Sequence, residues 1–388
     1  MAMATRSLTT AHSVLRGTGG VRLCKGVRQL ATQSNASAAS TQSKERPLIF
    51  SGIQPTGQPH LGNYFGAISN WITLQEQAFQ DKETVLFSIV DLHAITMPQD
   101  PEKLRRERRE MAITLLACGV DPKKCILFEQ SKVSGHCELT WILNCMTSVG
   151  WLARMTQWKS KLGVTKGAKS IEDVSATAGL QMGLLAYPVL MAADVLLYRA
   201  TKVPVGEDQV QHLELARDIA QLFNKTVNQP FFPLPRPLIT ETKRVMSLRD
   251  PKNKMSKSDP SDQTRIHLVD KPEVIASKIK RATTDSIRGI TYDKIERPAV
   301  ANLIEIYAGA KRIGIQDVVK EHAESSTAVF KEALTEALVS LLKPIQDEMA
   351  RLDNERAYVQ SVLNDGALKA TEIANPNLRE VQRLMGLL

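Results

Sequence analysis

The chain has 388 residues, 43% of them hydrophobic and 23% charged, with a formal net charge of +9. That length holds two ordinary domains with a sizeable core, and the composition excludes a disordered or fibrous chain. No stretch reaches the ~18 uninterrupted apolar residues of a membrane span. Five cysteines, with no CxxC pair and no zinc-finger His spacing, give no disulfide framework or structural metal site. They read as reduced, mostly buried thiols.

Residues 1–43 contain Arg6, Arg16, Arg22, Lys25 and Arg28, no Asp or Glu, and much Ser, Thr and Ala. That is the composition of a mitochondrial transit peptide. We assign residues 1–30 to it, with cleavage after Arg28, near Leu30 or Ala31. A cytosolic tail or a chloroplast address has a similar composition.

Leu48-Ile49-Phe50 is a short apolar run ending in Ser51-Gly52, a buried strand. Gln54–Pro59 is a Gly/Pro loop. Leu61, Tyr64, Phe65, Ile68, Trp71 and Ile72 then recur at helical spacing. Val85–Val90 is a second strand. Asp100-Pro101 opens a helix as cap and first-turn proline, with Arg105, Arg106, Arg108 and Arg109 on its exposed face. Ile126–Phe128 is a third strand. Gly179–Tyr198 reads as a core helix, and Val203–Val205 as a strand with a helix beginning near Glu207. Strands alternating with helices predict an α/β class, a Rossmann-like doubly wound parallel sheet over 44–270. A mostly helical insertion is expected at about 98–178. From Lys271 strand signals stop, and positions such as Val329, Leu334, Leu338, Leu341 and Leu342 predict a C-terminal α-helical domain over 271–388.

Two segments carry chemistry. In Gly52–Asn63 a strand ends, a Gly-containing loop turns and a helix starts, which offers free N–H groups to a phosphate. Gly62 would let a nucleotide approach the backbone. Neither GxGxxG nor a Walker loop occurs. Lys254-Met255-Ser256-Lys257-Ser258 lies in a mobile polar stretch, where two lysines three apart can converge on a polyphosphate and two hydroxyls add donors. Alone, the first is an ordinary loop as readily as a site, and the second a solvated basic loop.

Together the two segments resemble the HIGH-type and KMSKS signatures of class I aminoacyl-tRNA synthetases. Val90–Thr96, Arg154–Lys159, Tyr187–Asp194, Val205–Gln209 and Gln211–Asp218 resemble the tryptophanyl branch of that family, and the similarity covers about residues 47–388. The resemblance implies that Gln54, Pro55, Thr56, Gly62 and Asn63 contact ATP. It implies that Gly206, Glu207 and Asp208 hold the ribose and adenosine end, and that Val245 gives adenine a backbone contact. Lys254, Met255, Ser256, Lys257 and Ser258 would form the loop that grips the leaving pyrophosphate, closing over ATP and opening for release. Lys161, and less well Lys159, matches a further phosphate contact. Lys254, Lys257, Lys161 and Asn63 are the implied catalytic set.

Asp194 lies among Leu190, Met191, Ala192, Ala193 and Val195, where a carboxylate is costly without a donor. The indole N–H is a donor with no acceptor, and the family gives this position that partner. The plain alternative is an Asp paired to a donor in the core. Met191 supports the tryptophanyl branch, and Tyr187, His93, Gln209 and Phe50 would line the amino-acid pocket. Asn63 replaces the second His of the HIGH pattern, as that branch generally shows, and His60 receives no acid–base role. The resemblance implies ATP as substrate with Mg²⁺, no resident metal or tightly bound cofactor, tRNA(Trp) and L-tryptophan as partners, and a homodimer of the mitochondrial matrix with no membrane contact. The C-terminal helices would read the tRNA anticodon, with Lys278, Lys280, Arg281 and Arg379 as basic candidates. A tyrosyl enzyme, a small-molecule adenylyltransferase and a non-enzymatic RNA-binding relative are the competing readings. Met191–Asp194, the KMSKS element and the retained lysines argue against each in turn.

Overall fold

Among the described residues, five strands form one parallel sheet in the order β3-β2-β1-β4-β5. They are β1 (Leu48–Ile53), β2 (Thr84–Ile89), β3 (Ile126–Glu129), β4 (Lys202–Val205) and β5 (Arg236–Ile239). The structure, a computed structural model, describes residues 47–155, 158–159, 180–206, 209–239, 244–257 and 259–388. The expected transit peptide, Lys161, Glu207, Asp208 and Ser258 lie outside the described residues.

Alternation along the strands builds a core on each face. Ile49, Val85, Phe87, Ile89 and Leu127 point to one side, Leu48, Phe50, Leu86 and Phe128 to the other. The strand runs are apolar on both faces, as in sheets covered on both sides. On the first face lie the helix after β1 and α4 (Pro101–Cys118). The helix after β1 runs as α1 (Leu61–Asn63), a π segment (Tyr64–Ile68) and α2 (Ser69–Gln80). Trp71 stacks on Phe87 at 4.2 Å and donates its indole N–H to Ser51 at 3.0 Å. Short α3 (Asp91–Ala94) follows β2. Asp100 caps α4 through the Lys103 N–H at 2.7 Å, and the helix ends at Gly119 with φ +111. On the second face lie α5 (Gly135–Asn144), α6 (Val149–Ala153), α7 (Met182–Leu196, with Pro188 inside) and α8 (Val210–Thr226). α4 and β3 fall inside the 98–178 span but belong to the sheet's own strand–helix succession; α5 and α6 are what that span adds beyond it.

β5 was not expected. It holds Pro237, and an edge strand tolerates a residue without N–H. Arg108 is not on an exposed face: it bridges Asp91 (3.0 Å) and Glu129 (2.8 Å). Of the four described cysteines, Cys137 and Cys145 are exposed, so the thiols are not mostly buried.

After the sheet come α9 (Pro272–Lys280), α10 (Pro298–Lys311), α11 (Ile315–His322), α12 (Thr327–Asn354) and α13 (Arg356–Leu384). Leu334, Leu338 and Leu342 are fully buried, whereas Val329 is exposed. These helices are not detached from the sheet: residues 46–388 form one compact unit. α13 passes the β3 edge, with Val359 and Leu363 in one core and Ala370, Ala374 and Leu378 in the other. Gly366 marks the crossing, since a Cβ there would lie 1.9 Å from the Leu127 carbonyl oxygen.

Candidate functional site

The strand order places a topological switch between β1 and β4, and crevices at the carboxyl ends of strands beside such a switch bind ligands. The loop at 54–60 leaves the carboxyl end of β1, and Gly206 follows that of β4. His93 and Gln130 follow β2 and β3.

Asp194, on α7, is 2% exposed. Three described side chains donate to it: Gln130 Nε2 and His136 Nδ1 to Oδ1, both at 2.6 Å, and His93 Nε2 to Oδ2 at 2.7 Å. Burial pushes the carboxyl pKa up, but the hydrogen bond from His136 and the bond and charge of His93 outweigh it, so Asp194 stays ionised well below the usual carboxylate range. The other ring nitrogen of His136, Nε2, meets the Tyr198 hydroxyl at 2.9 Å. A carboxylate has about four acceptor sites. Three are in use by described residues, and the fourth is on Oδ2. Asp194 is thus held by core donors, as the plain reading expects, and still keeps an acceptor for one more.

Tyr187 stands edge-on to His93, with ring centres 6.3 Å apart, and its hydroxyl meets His212 Nε2 at 2.9 Å. Burial raises the Tyr187 pKa, so it remains a neutral phenol. Met191 is half-buried on the same helix, and Gln209 sits at the start of α8. Phe50 shares the core cluster of Tyr187 and Tyr198. It stacks on Tyr198 at 5.6 Å, one residue behind His136. Gln130, His136, Tyr198 and His212 were not among the site residues named from the sequence. The clue available was a polar residue beside a strand's carboxyl end, as at Gln130.

The two signature segments are strapped together. Leu61 N–H donates to the Ile266 carbonyl (2.9 Å) and Leu268 N–H to that of Pro59 (3.0 Å). Met255 N–H donates to the Val245 carbonyl at 3.0 Å. The KMSKS segment is therefore no free polar loop: Met255 is buried in the core while Lys254 is exposed. Lys257 Nζ donates to the carbonyls of Thr56 (2.6 Å) and Gly57 (3.1 Å). Burial lowers its pKa to about 8, with Glu107 pulling the other way. His60 caps the helix, its Nδ1 accepting from Gly62 N–H at 3.0 Å while Asn63 Oδ1 accepts from His60 N–H at 3.1 Å. Asn63 thus has a capping task besides any contact to ATP. Burial, then the charge of Lys257, lowers the His60 pKa to about 3, so the ring is neutral. A Cβ on Gly62 would lie 2.9 Å from that ring, so here glycine makes room for His60. Gln54 is exposed, Thr56 and Gly206 half-exposed, and Pro55 and Val245 buried beside them. Among the described residues no group of three or more His, Cys, Asp or Glu is placed to hold a metal ion.

A family model for class I tRNA synthetases (W and Y) matches residues 42–343. The tryptophan–tRNA ligase of Nostoc sp. is 47% identical over 344 residues, 87% of this chain and 97% of its own. The chain belongs to the class I tryptophanyl-tRNA synthetases. The mitochondrial tryptophan–tRNA ligase of Saccharomyces cerevisiae is 45% identical to this synthetase over 87% of its chain and 90% of the yeast protein. Among solved structures, the tryptophanyl-tRNA synthetase of Campylobacter jejuni complexed with ADP and tryptophan superposes with a TM-score of 0.71. It is 31% identical over 87% of this synthetase and 99% of its own chain.

Proposed function

We propose that this synthetase activates L-tryptophan with ATP and then esterifies the 3′-terminal ribose of tRNA(Trp), for protein synthesis in the mitochondrial matrix. The tryptophan carboxylate attacks the α-phosphorus, a P–O bond forms, and the bond to the β-phosphate oxygen breaks, releasing pyrophosphate. A ribose hydroxyl then attacks the adenylate carbonyl and AMP leaves. Positioning and charge stabilisation supply most of the rate. Lys254 and Lys257 neutralise the leaving pyrophosphate, assisted by Lys161 and by Mg²⁺ that arrives with ATP. Gln54, Pro55, Thr56, Gly62 and Asn63 cradle the triphosphate, and Gly206, Glu207, Asp208 and Val245 the nucleoside.

The observation that carries the amino-acid assignment is the ionised, buried Asp194 with one acceptor site left on Oδ2. The indole N–H suits that site, and we assign Met191, Tyr187, His93, Gln209 and Phe50 to the lining of the amino-acid pocket. Asp194→Ala should lower tryptophan-dependent ATP–pyrophosphate exchange on the order of 10³-fold, because a site built around one hydrogen bond fails without it. Normal exchange by that variant would refute the pocket.

Exposed Lys280, Arg281 and Arg379 suit contact with tRNA phosphates, as part of anticodon reading by residues 271–388. Lys278 is removed from that set: it is buried between Asp262 and Asp270, at 2.7 Å from each. Homodimer formation is supported by exposed Trp141, Val149 and Met182 on α5, α6 and α7. The yeast mitochondrial relative and the acid-free composition of residues 1–43 support matrix import. A reporter fused to those residues should enter mitochondria; one that stays in the cytosol would refute import.

A further inference from the structure

Glu107 lies on α4, 50 positions from the loop that follows β1, and is buried. A buried carboxylate needs a donor. Its Oε1 accepts the Gly57 N–H at 3.0 Å, while exposed Lys103 stays 3.9 Å away. The carbonyl of that same peptide group belongs to Thr56, and it accepts Lys257 Nζ at 2.6 Å. One peptide plane is therefore held at its N–H by a carboxylate and at its oxygen by an ammonium, an arrangement in which each bond polarises the other. Gly57 fits this arrangement twice: its φ is +66°, and a Cβ would lie 3.3 Å from the Lys257 side chain.

We propose that Glu107 is a positioning residue for ATP use. It fixes the turn on which Lys257 rests until the triphosphate draws the ammonium away. Phosphate oxygens are stronger acceptors for an ammonium than neutral carbonyls. When Lys257 leaves, the Thr56–Gly57 peptide loses one of its two restraints. Glu107 is the one that remains, and it keeps the first ATP-contacting loop in shape. The inference rests on the assignment of Lys257 to the phosphates.

The test is tryptophan-dependent ATP–pyrophosphate exchange by the full chain carrying Glu107→Ala, Glu107→Gln or Lys257→Ala. Glu107→Ala should raise the KM for ATP about tenfold, the size of one lost hydrogen bond to a charged group, and move the KM for tryptophan less than about twofold. Glu107→Gln keeps an oxygen for the Gly57 N–H and should hold the ATP KM within about threefold of the parent. Without the carboxylate charge, its ATP KM should begin to rise at lower pH than in the parent. An unchanged ATP KM in Glu107→Ala overturns the proposal. So does a parallel rise of both KM values, or a Gln variant as impaired as Ala. If the Ala chain does not fold, an unshifted pH dependence in the Gln chain overturns it. Exchange that survives Lys257→Ala would instead refute the phosphate assignment itself. Loss there with an intact ATP KM in Glu107→Ala would remove only the role of Glu107.

Discussion

At the residue scale, burial decides which groups carry charge. Lys257 has its pKa lowered to about 8, so its ammonium is present below that pH and is lost above it. Affinity for ATP should therefore fall as the free enzyme passes from pH 7 to 9. Lys257→Arg, with a side chain charged throughout that range, should flatten the fall. The KM for ATP against pH checks this, and a flat profile in the parent would contradict it. His60, neutral down to about pH 3, contributes no limb to such a profile. Asp194 was legible from the sequence because a carboxylate in a run of apolar residues requires a donor. Which donors it has was not legible. Gln130, His136 and His93 lie 58 or more positions away, and only the fold brings them to its two oxygens. The same holds for Glu107, whose partner is 50 positions distant.

At the element scale, the strands with uninterrupted apolar runs and the Asp-Pro helix start followed from local pattern. β5 did not, since Pro237 speaks against a strand, and its place at the sheet edge tolerates a residue without N–H. The π segment at Tyr64–Ile68 likewise left no mark in a periodicity that suits a regular helix. α13 shows what pattern cannot convey. Its register against β3 is set by Gly366, one glycine in a helix that a composition reading would count as a weakness. Gly366→Ala should destabilise the protein by about 3 kcal/mol, because the methyl group meets backbone that cannot give way. Thermal or denaturant unfolding measures this; a neutral or stabilising effect would mean that α13 is not seated on Leu127.

At the scale of the whole molecule, the C-terminal helices reach the segment that follows the KMSKS signature. Gln346 on α12 donates to the carbonyls of Leu268 (2.8 Å) and Asp270 (3.0 Å). Lys278 on α9 joins Asp262 to Asp270. Lys278→Met would take the cation from Asp270 and leave Asp262 with the more distant Arg265 (3.6 Å), costing about 2 kcal/mol, less than for a fully buried pair because Asp262 is exposed. Denaturant unfolding of that variant checks the figure, and parental stability would show that the junction does not depend on the cation. The sequence marked two regions here, a sheet and a set of helices, because its periodicities differ. The ion pairs and backbone bonds that join them depend on tertiary geometry. The central claim is that the two signature segments supply ATP chemistry and that Asp194 selects the amino acid. Amino-acid-dependent ATP–pyrophosphate exchange, run in parallel with tryptophan and tyrosine, tests it most directly. The account predicts exchange with tryptophan and none above background with tyrosine; exchange with tyrosine, or none with tryptophan, would contradict it.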